Sequence, residues 1–262
     1  ASPWSQAVTS ARRRMGIYIR QLSSFSEQRA VVANIKDALQ FGEYELRGQF
    51  MLGSNYTFLV DVHHEGETVK AVYKPSRGEQ PLWDFPDNTL ALRETAAYHL
   101  SEALGFHIVP VTVYREDGPH GPGSLQQYLD YDIEYHYFNF TPADKDKLRA
   151  VVLFDLLANN ADRKGSHVFF EDETNHLYAI DHGLCFHEED KLRTVIWDFA
   201  GQRIPDELLA PLSLTGAWSA LLQPYLAPTE ILALRRRADD LFKTRVFPHP
   251  LQGRRMYPYP PI

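Results

Sequence analysis

Alternation of apolar and polar residues dominates the first third of the chain. It predicts three strands, at residues 44–50, 57–62 and 69–74, with turns rich in Gly, Ser, Asn and Glu between them. Because short turns join antiparallel neighbours, we expect this segment to form an antiparallel sheet. Before the sheet, apolar residues at helical spacing predict a helix over residues 26–40.

The remaining two thirds of the chain change between strand-like and helix-like spacing. The further elements predicted, in order, are a helix at 90–104, strands at 108–114 and 124–129, a helix at 141–158, strands at 168–170 and 177–180, and a helix at 229–242. A block of strands followed by helices predicts an α+β protein. We expect an N-terminal extension and helix (1–40), a small β-rich lobe (41–130) and a mainly helical lobe with a C-terminal tail (131–262).

Composition narrows the classes of function. The net charge of −7 and the pI near 5.9 provide no positive field for nucleic acid, so no such partner is expected. No apolar run reaches the roughly 18 residues of a membrane span, so stable membrane insertion is not expected either. Cys185 is the only cysteine, which excludes an intrachain disulfide and fits a reducing, cytoplasmic setting.

Two acidic residues stand at the ends of predicted elements in the middle of the chain. The apolar helix ends in a polar loop that contains Asp162, and the second of the two following strands ends on Asp181 and Gly183. Either aspartate alone is a common turn residue. The order of helix, Asp loop, β-hairpin and Asp-x-Gly is, however, typical of a phosphoryl-transfer site. Asp162 would then orient an attacking hydroxyl, and Asp181 would hold a divalent cation.

Lys74 ends the third predicted strand, where a kinase-like fold has the lysine that binds ATP phosphates. Glu94, on the next helix, is a candidate ion-pair partner for it, although both side chains could simply be solvated. The turn that contains Gly53, Ser54 and Asn55 could cover a phosphate with its backbone N–H groups. A plain hairpin turn explains the same residues.

Several segments together resemble a known family. The matching residues are Val72 to Pro75, Asp162-Arg163, and the run from Ile180 to Phe186. They resemble the phosphatidylinositol 3-/4-kinase-like superfamily, and most closely bacterial proteins similar to type II phosphatidylinositol 4-kinases. The resemblance covers about residues 40–250. It implies a two-lobed, protein-kinase-like or lipid-kinase-like fold, with a small antiparallel β lobe and a mainly helical large lobe.

The resemblance also implies roles for single residues. Lys74 would contact the phosphates of ATP, with Glu94 bracing it, Asp162 would be the catalytic aspartate, and Asp181 would bind the metal. The strand that contains Gln126 leads into a connector whose backbone binds adenine in such folds. We therefore include Gln126 with the 53–55 turn among the expected ATP-binding residues.

One position departs from the family pattern. The superfamily usually has a metal-binding Asn where this chain has His167, five residues after the catalytic aspartate. Imidazole suits transition metals better than Mg²⁺. His167 could therefore bind Mn²⁺, contact phosphate, or serve only as a hydrogen-bonding brace, and the expected metal is Mg²⁺ or Mn²⁺. Arg163 and Lys164 could stabilise the transferred group, or could be ordinary loop cations.

These features predict an ATP-dependent phosphotransferase that moves the γ-phosphate to a hydroxyl. The acceptor, a protein, a lipid or a small molecule, is left open, as is the oligomeric state. Two other functions fit the same residues. One is a nucleotide-binding module without turnover, which the histidine at position 167 and the scarcity of glycines favour. The other is an AMP transferase, which would release pyrophosphate instead of ADP.

Overall fold

Antiparallel pairing organises the N-terminal part of the protein. The computed structural model describes residues 31–50 and 55–262. Its first helix, α1, covers residues 31–41, and the start of the predicted helix lies outside the described residues. Five strands follow: β1 (Glu43–Phe50), β2 (Thr57–His64), β3 (Glu67–Pro75), β4 (Thr112–Arg115) and β5 (Gly123–Gln127). They form one antiparallel sheet in the order β1-β2-β3-β5-β4.

The strand predicted at 108–114 is shorter than expected. Only Thr112–Arg115 is a strand of the sheet. The carbonyl of Val111 still accepts a bond from the N–H of Gln127 on β5, but the chain before Val111 bonds to another part of the molecule. The carbonyl of Ile108 accepts a hydrogen bond from the N–H of Ala179 at 2.7 Å, and Pro110 has no N–H to donate. Residues 108–111 therefore connect the sheet to the large lobe.

Helix α2 (Leu90–Ala103) packs between the sheet and the rest of the molecule. Its fully buried residues include Ala96, Ala97 and Leu100. At its N-terminus the carboxylate of Glu79 accepts hydrogen bonds from the N–H groups of Leu90 and Ala91, at 3.1 and 2.9 Å. These groups have no partner within the helix, and a negative charge there also suits the helix dipole.

Helices make up most of the second part of the protein. In order, its elements are α3 (Pro142–Asp146), α4 (Arg149–Ala158), the β6-β7 hairpin (Val168–Phe170 and Leu177–Ala179), α5 (Asp206–Leu209), α6 (Thr215–Leu222) and α7 (Pro228–Thr244). The single helix predicted at 141–158 is therefore two helices. Tight i→i+3 bonds from Lys147 and Leu148 end α3, and Leu148 turns into the core, where it is fully buried.

One hydrophobic core joins the two parts. It runs from Val60 on β2 through Ala97 on α2 to Phe154 on α4 and Leu234 on α7. The predicted α+β fold, a small antiparallel β lobe beside a mainly helical one, is confirmed. The boundaries given above for the three regions stay predictions. Within the described residues, no helix is long and apolar enough to cross a membrane.

Candidate active site

Strand β3 and helix α2 bring Lys74 and Glu94 together. The Nζ of Lys74 donates to Oε1 of Glu94 at 2.5 Å and to Oδ1 of Asp181 at 3.2 Å. Burial disfavours the ammonium form, but the two carboxylates outweigh it and raise the pKa of Lys74 above its ordinary value. The other oxygen of Glu94 accepts a bond from the N–H of His182 at 2.9 Å. Glu94 therefore bridges the lysine and the Asp-x-Gly segment.

The loop expected to be catalytic, residues 159–167, begins where α4 ends and is called the catalytic loop below. Asn159 takes a left-handed conformation (φ 56°) that turns the chain out of the helix. Asn160 then fixes the next residues, because its Oδ1 accepts a hydrogen bond from the N–H of Asp162 at 2.9 Å. The Asp162 carboxylate lies 3.3 Å from Nζ of Lys164. This geometry leaves an acid and a cation side by side at the cleft, and the catalytic roles expected of Asp162 and Lys164 stay predictions.

Arg163 occupies a different environment from its two neighbours. Its side chain is 0% exposed, and its Nε and Nη2 donate to the two oxygens of Asp155 at 2.8 and 3.0 Å. Its Nη1 donates to the carbonyls of His167 and Ile180 at 3.2 and 2.7 Å. Arg163 is a buried support that joins α4 to both acidic segments, and it does not line the cleft, so its buried position does not match the one expected of a residue that contacts the transferred group.

Asp181 follows β7 and meets the small lobe. Its backbone is left-handed (φ 61°), a conformation that non-glycine residues rarely adopt and that clusters at functional sites. Its carboxylate is 47% exposed, and its second oxygen lies 3.4 Å from Nε2 of His167. The opposite charge of Lys74 is the largest influence on this carboxylate and holds its pKa below the ordinary value.

Burial is the largest influence on the pKa values of Asp162 and His167. It raises the pKa of Asp162, opposed by Lys164 and reinforced by the negative charge of Asp181. It lowers the pKa of His167 to about 4, against the opposing effect of Asp181. His167 is therefore neutral at pH 7. Its Nδ1 is buried and has no hydrogen-bond partner among the residues that the structure describes.

A cleft with a volume of about 430 Å³ lies between the two lobes. Of the predicted residues, those that line it are Asn55, Lys74, Glu94, Gln126, Asp162, Lys164, His167 and Asp181. Gly53 and Ser54 lie outside the described residues. The Oδ1 of Asn55 accepts a bond from the N–H of Gln80 at 2.8 Å, and the side chain of Gln126 donates to the hydroxyl of Thr112 at 2.9 Å.

Sequence reasoning missed the apolar walls of this cleft and the residues beneath it. Val72 on β3 lines one side, and Phe169 and Ile180 from the hairpin line the other. Two signals were available: Val72 lies two residues before the lysine on the same face of its strand, and Ile180 precedes the aspartate. Asp155, the buried partner of Arg163, had no such signal, because it lies within an apolar helical run.

The donor set suits a cation that is held jointly with a nucleotide. Within residues 31–50 and 55–262, no group of three or more His, Cys, Asp or Glu side chains could hold a metal alone. Asp181 and neutral His167 together offer one carboxylate and one imidazole. Mg²⁺ and similar ions at phosphate sites use one or two protein ligands with phosphate oxygens and water. The residues present therefore fit such an ion, and the imidazole favours Mn²⁺ over Mg²⁺.

Comparison with known proteins places this geometry in a family. No family model matches the chain. Protein Rv2133c of Mycobacterium tuberculosis is 38% identical over an alignment of 259 residues, and the match covers 84% of this chain and 92% of the mycobacterial protein. The chain belongs to the family of Rv2133c.

Solved structures similar to the chain include atypical kinases. The Helicobacter pylori proinflammatory kinase CtkA is 14% identical, with a TM-score of 0.51 over 80% of this chain and 94% of that one. The Golgi casein kinase with Mn/ADP bound is 16% identical, with a TM-score of 0.55 over 89% and 81%. Hydra Fam20 with sugar is also 16% identical, with a TM-score of 0.53 over 81% and 88%.

These similarities show that the chain has a kinase-like fold. At such low identity they do not carry over an activity or a substrate. The resemblance to type II phosphatidylinositol 4-kinases is more specific than these findings and stays a prediction.

Proposed function

We propose that this member of the Rv2133c family is an ATP-dependent phosphotransferase. The observation that carries the proposal is the convergence of Lys74, Glu94, Asp162 and Asp181 on one cleft, although the first and last are 107 positions apart. An arrangement that pairs a lysine with two carboxylates and places a third acid nearby is suited to triphosphate chemistry. A purely structural ion-pair network would have no need of an open cleft.

The adenine would lie at the end of the cleft where the connector leaves β5. Val72 forms one apolar wall, and Phe169 and Ile180 form the other. Between these walls Tyr128 and Leu129 of the connector also line the cleft. A cleft with apolar walls and a few polar groups fits a purine base.

The triphosphate would extend from this end toward Lys74. There the ammonium group would bind phosphate oxygens, and Glu94 would keep it in place. Asp181 and His167 would hold a divalent cation, which supplies charge neutralisation at the phosphates when it is bound. The fixed negative charge of Asp181 suits that position, because its low pKa keeps it ionised at any physiological pH.

Asp162 would accept the proton of the acceptor hydroxyl. As the proton moves to the Asp162 carboxylate, the acceptor oxygen forms its bond to the γ-phosphorus, and the bond from that phosphorus to the bridging oxygen of ADP breaks. Lys164, 3.3 Å from Asp162, can offset the negative charge on the phosphoryl oxygens during the transfer. The raised pKa of Asp162 makes it a better proton acceptor than an ordinary carboxylate.

The acceptor would enter beside the catalytic loop. Ala161 packs there with Leu90 and Phe85, and the partly buried Leu82 and Leu184 complete an apolar corner. We infer an acceptor hydroxyl on a protein or a small molecule, with a lipid as the third possibility. The apolar corner is compatible with all three, so the acceptor needs to be identified by experiment.

The decisive experiment is incubation with ATP labelled at the γ-phosphate, in Mg²⁺ or in Mn²⁺, with all products followed together. Release of ADP with label on the protein or on an added acceptor supports the proposal, and we expect Mn²⁺ to be the better cation. Release of pyrophosphate with AMP on the acceptor indicates nucleotide transfer instead. Thermal stabilisation by nucleotide without loss of the γ-phosphate indicates a binding module. Either of these two results would overturn the proposal.

A further inference from the structure

Arg93, next to Glu94 on α2, is one of the most deeply buried cations in the described structure. Its side chain is 1% exposed, yet it takes no part in the site just described. Adjacent residues on a helix point about 100° apart, so Arg93 and Glu94 face different neighbours. Glu94 faces Lys74, whereas Arg93 faces the large lobe.

Two contacts join Arg93 to the large lobe. Its Nη2 donates to Oε1 of Glu230 on α7. Its Nη1 donates to the carbonyl of Cys185, within the segment that follows Asp181, at 2.6 Å. The guanidinium also lies 4.9 Å from the ring centre of Phe85. Because a planar guanidinium fixes several donors in one geometry, these contacts restrict the rotation of α2 as well as its distance from α7.

Helix α7, which carries Glu230, is itself fixed by further hydrogen bonds. The second oxygen of Glu230 accepts a bond from the N–H of Ala227 at 2.9 Å, at the start of α7. Two turns later, Arg237 donates to the carbonyl of Leu157 at the end of α4 at 2.8 Å, and to the carbonyl of His187 at 3.2 Å. Helix α7 is thus fixed both to the helix before the catalytic loop and to the chain after the Asp-x-Gly segment.

We propose that Arg93 is a positioning residue, which with Glu230 and the Cys185 carbonyl holds α2 in the orientation that brings Glu94 to Lys74. The expected fall in turnover rests on the proposed function, whereas the expected change in the position of α2 does not. It follows that α2 moves with the large lobe, although it packs on the small-lobe sheet. The contact that positions α2 is made by Arg93, Glu230 and the Cys185 carbonyl, all within this chain.

The variants must separate position from stability. Arg93→Met alone leaves the buried Glu230 carboxylate without its cation, and breaking a buried pair strongly destabilises a fold. The double variant Arg93→Met/Glu230→Met replaces both charges with apolar groups of similar length, a change that is often neutral for stability. Arg93→Lys keeps the positive charge but loses the guanidinium group that reaches both acceptors at once. It provides a milder variant if the double variant does not fold.

Arg115 provides a matched control. It is also a buried arginine, and its Nη1 donates to the carbonyl of Gly42 at 2.6 Å. Its other partners, Leu39, Tyr44 and Asp117, also lie outside α2 and α7, so Arg115→Met removes a comparable buried guanidinium without removing a contact to either helix. We expect it to lower the melting temperature and to leave the placement of α2 unchanged.

Helix position can be measured directly by the distance between two spin labels. Cysteines introduced at Ala103 on α2 and at Asp239 on α7 would carry them, and the native Cys185 is buried, so it should not compete. In the double Arg93/Glu230 variant we expect the distance distribution to shift or broaden beyond its width in the unsubstituted protein. The turnover number should fall about tenfold, the scale of coupling from residues that do not contact the ligand, while KM for ATP stays within about twofold.

The outcomes distinguish this inference from the proposed function. If the distance distribution of the double variant is unchanged, or its turnover falls no more than that of Arg115→Met, Arg93 is only a structural residue and the inference is overturned. If the unsubstituted protein transfers no phosphate, the proposed function fails, but the label distances still decide whether Arg93 places α2. An intermediate distribution in Arg93→Lys would support the role of the two-pronged contact.

Discussion

The catalytic loop, residues 159–167, and the Asp-x-Gly segment, residues 180–186, each present one carboxylate to the cleft, but in opposite electrostatic surroundings. At Asp162 burial is the largest influence and raises the pKa. At Asp181 the charge of Lys74 is the largest influence and lowers the pKa. Carboxylates whose environments separate their pKa values in this way serve different roles. Asp162 is therefore suited to accept a proton, and Asp181 to remain a permanent anion.

The two segments share one support in spite of this difference. Arg163 belongs to the first, and its Nη1 holds the carbonyl of Ile180 in the second. The N–H of Ala161 also donates to the carbonyl of Leu184 at 2.9 Å. The relative position of the two carboxylates is thus set by buried contacts behind the cleft. The pKa values of the two carboxylates are set by their surroundings within the cleft.

The largest effect should come from Asp162→Asn. Loss of the proton acceptor should lower the turnover number by about 10² to 10⁴, the range typical of general acid–base residues. Nucleotide binding should persist, because Lys74 and Asp181 are unchanged. Steady-state kinetics and nucleotide titration would measure both. The matched control is Asp172→Asn, the same change at an exposed turn. Full activity in the Asp162 variant would show that the proton goes elsewhere.

Arg163→Met tests the shared support. It leaves Asp155 buried without its cation, so we expect the free energy of unfolding to fall by about 3–5 kcal/mol. Chemical denaturation would measure this. Lys164→Met, one residue later and facing the cleft, is the control: it should lower the rate with little loss of stability. A stable but inactive Arg163 variant would restore the catalytic role that the buried geometry argues against.

The contrast between Arg163 and Lys164 shows which features of the site could be predicted from the sequence and which could not. Lys74, Asp162 and Asp181 were predictable as cleft residues because each ends or follows a predicted strand or helix, so local pattern fixes where it lies. Arg163 looked the same as Lys164 in the sequence, since both are cations in one polar loop. What separates them is a buried carboxylate eight residues earlier, on an otherwise apolar helix.

Contacts between residues far apart in the sequence could not be predicted from the local pattern of apolar and polar residues. Arg93 and Glu230 are 137 positions apart, and each lies on a helix where a charged side chain is ordinarily solvated. The division of the helix predicted at 141–158 has a similar origin. The run from Pro142 to Ala158 is compatible with one helix, and the burial of Leu148 in the tertiary structure decides otherwise.

His167→Asn should alter the choice of cation by a smaller amount. The ring is neutral at pH 7, so it can act as a metal ligand, and replacing it with a carboxamide oxygen favours harder ions. We expect the preference for Mn²⁺ over Mg²⁺ to fall by about tenfold. Binding of Mn²⁺ in the presence of ADP, followed by electron paramagnetic resonance, would measure it without turnover. An unchanged preference would leave His167 as a brace for Asp181.

The smallest expected effect is on thermal stability, and it compares the Asp162 and Asp181 carboxylates directly. A raised pKa means that the folded state holds the proton more tightly, so ionised Asp162 lowers stability at neutral pH. Asp162→Asn should therefore raise the melting temperature at pH 7, and the gain should vanish below the ordinary aspartate range near about 3.9. Asp181 has the opposite sign: its ionised form adds stability at neutral pH, which is lost as the pH falls through its lowered pKa.

Asp181→Asn should accordingly lower the melting temperature at pH 7. Because the Asp181 side chain is 47% exposed, solvent screens the interaction, and we expect about 1 kcal/mol, or about 2–4 °C, for each variant. Calorimetry at pH 7 and pH 3 would give the two signs. If both variants shift in the same direction at pH 7, the two segments do not differ electrostatically, and the division of roles between proton acceptor and permanent anion loses its physical basis.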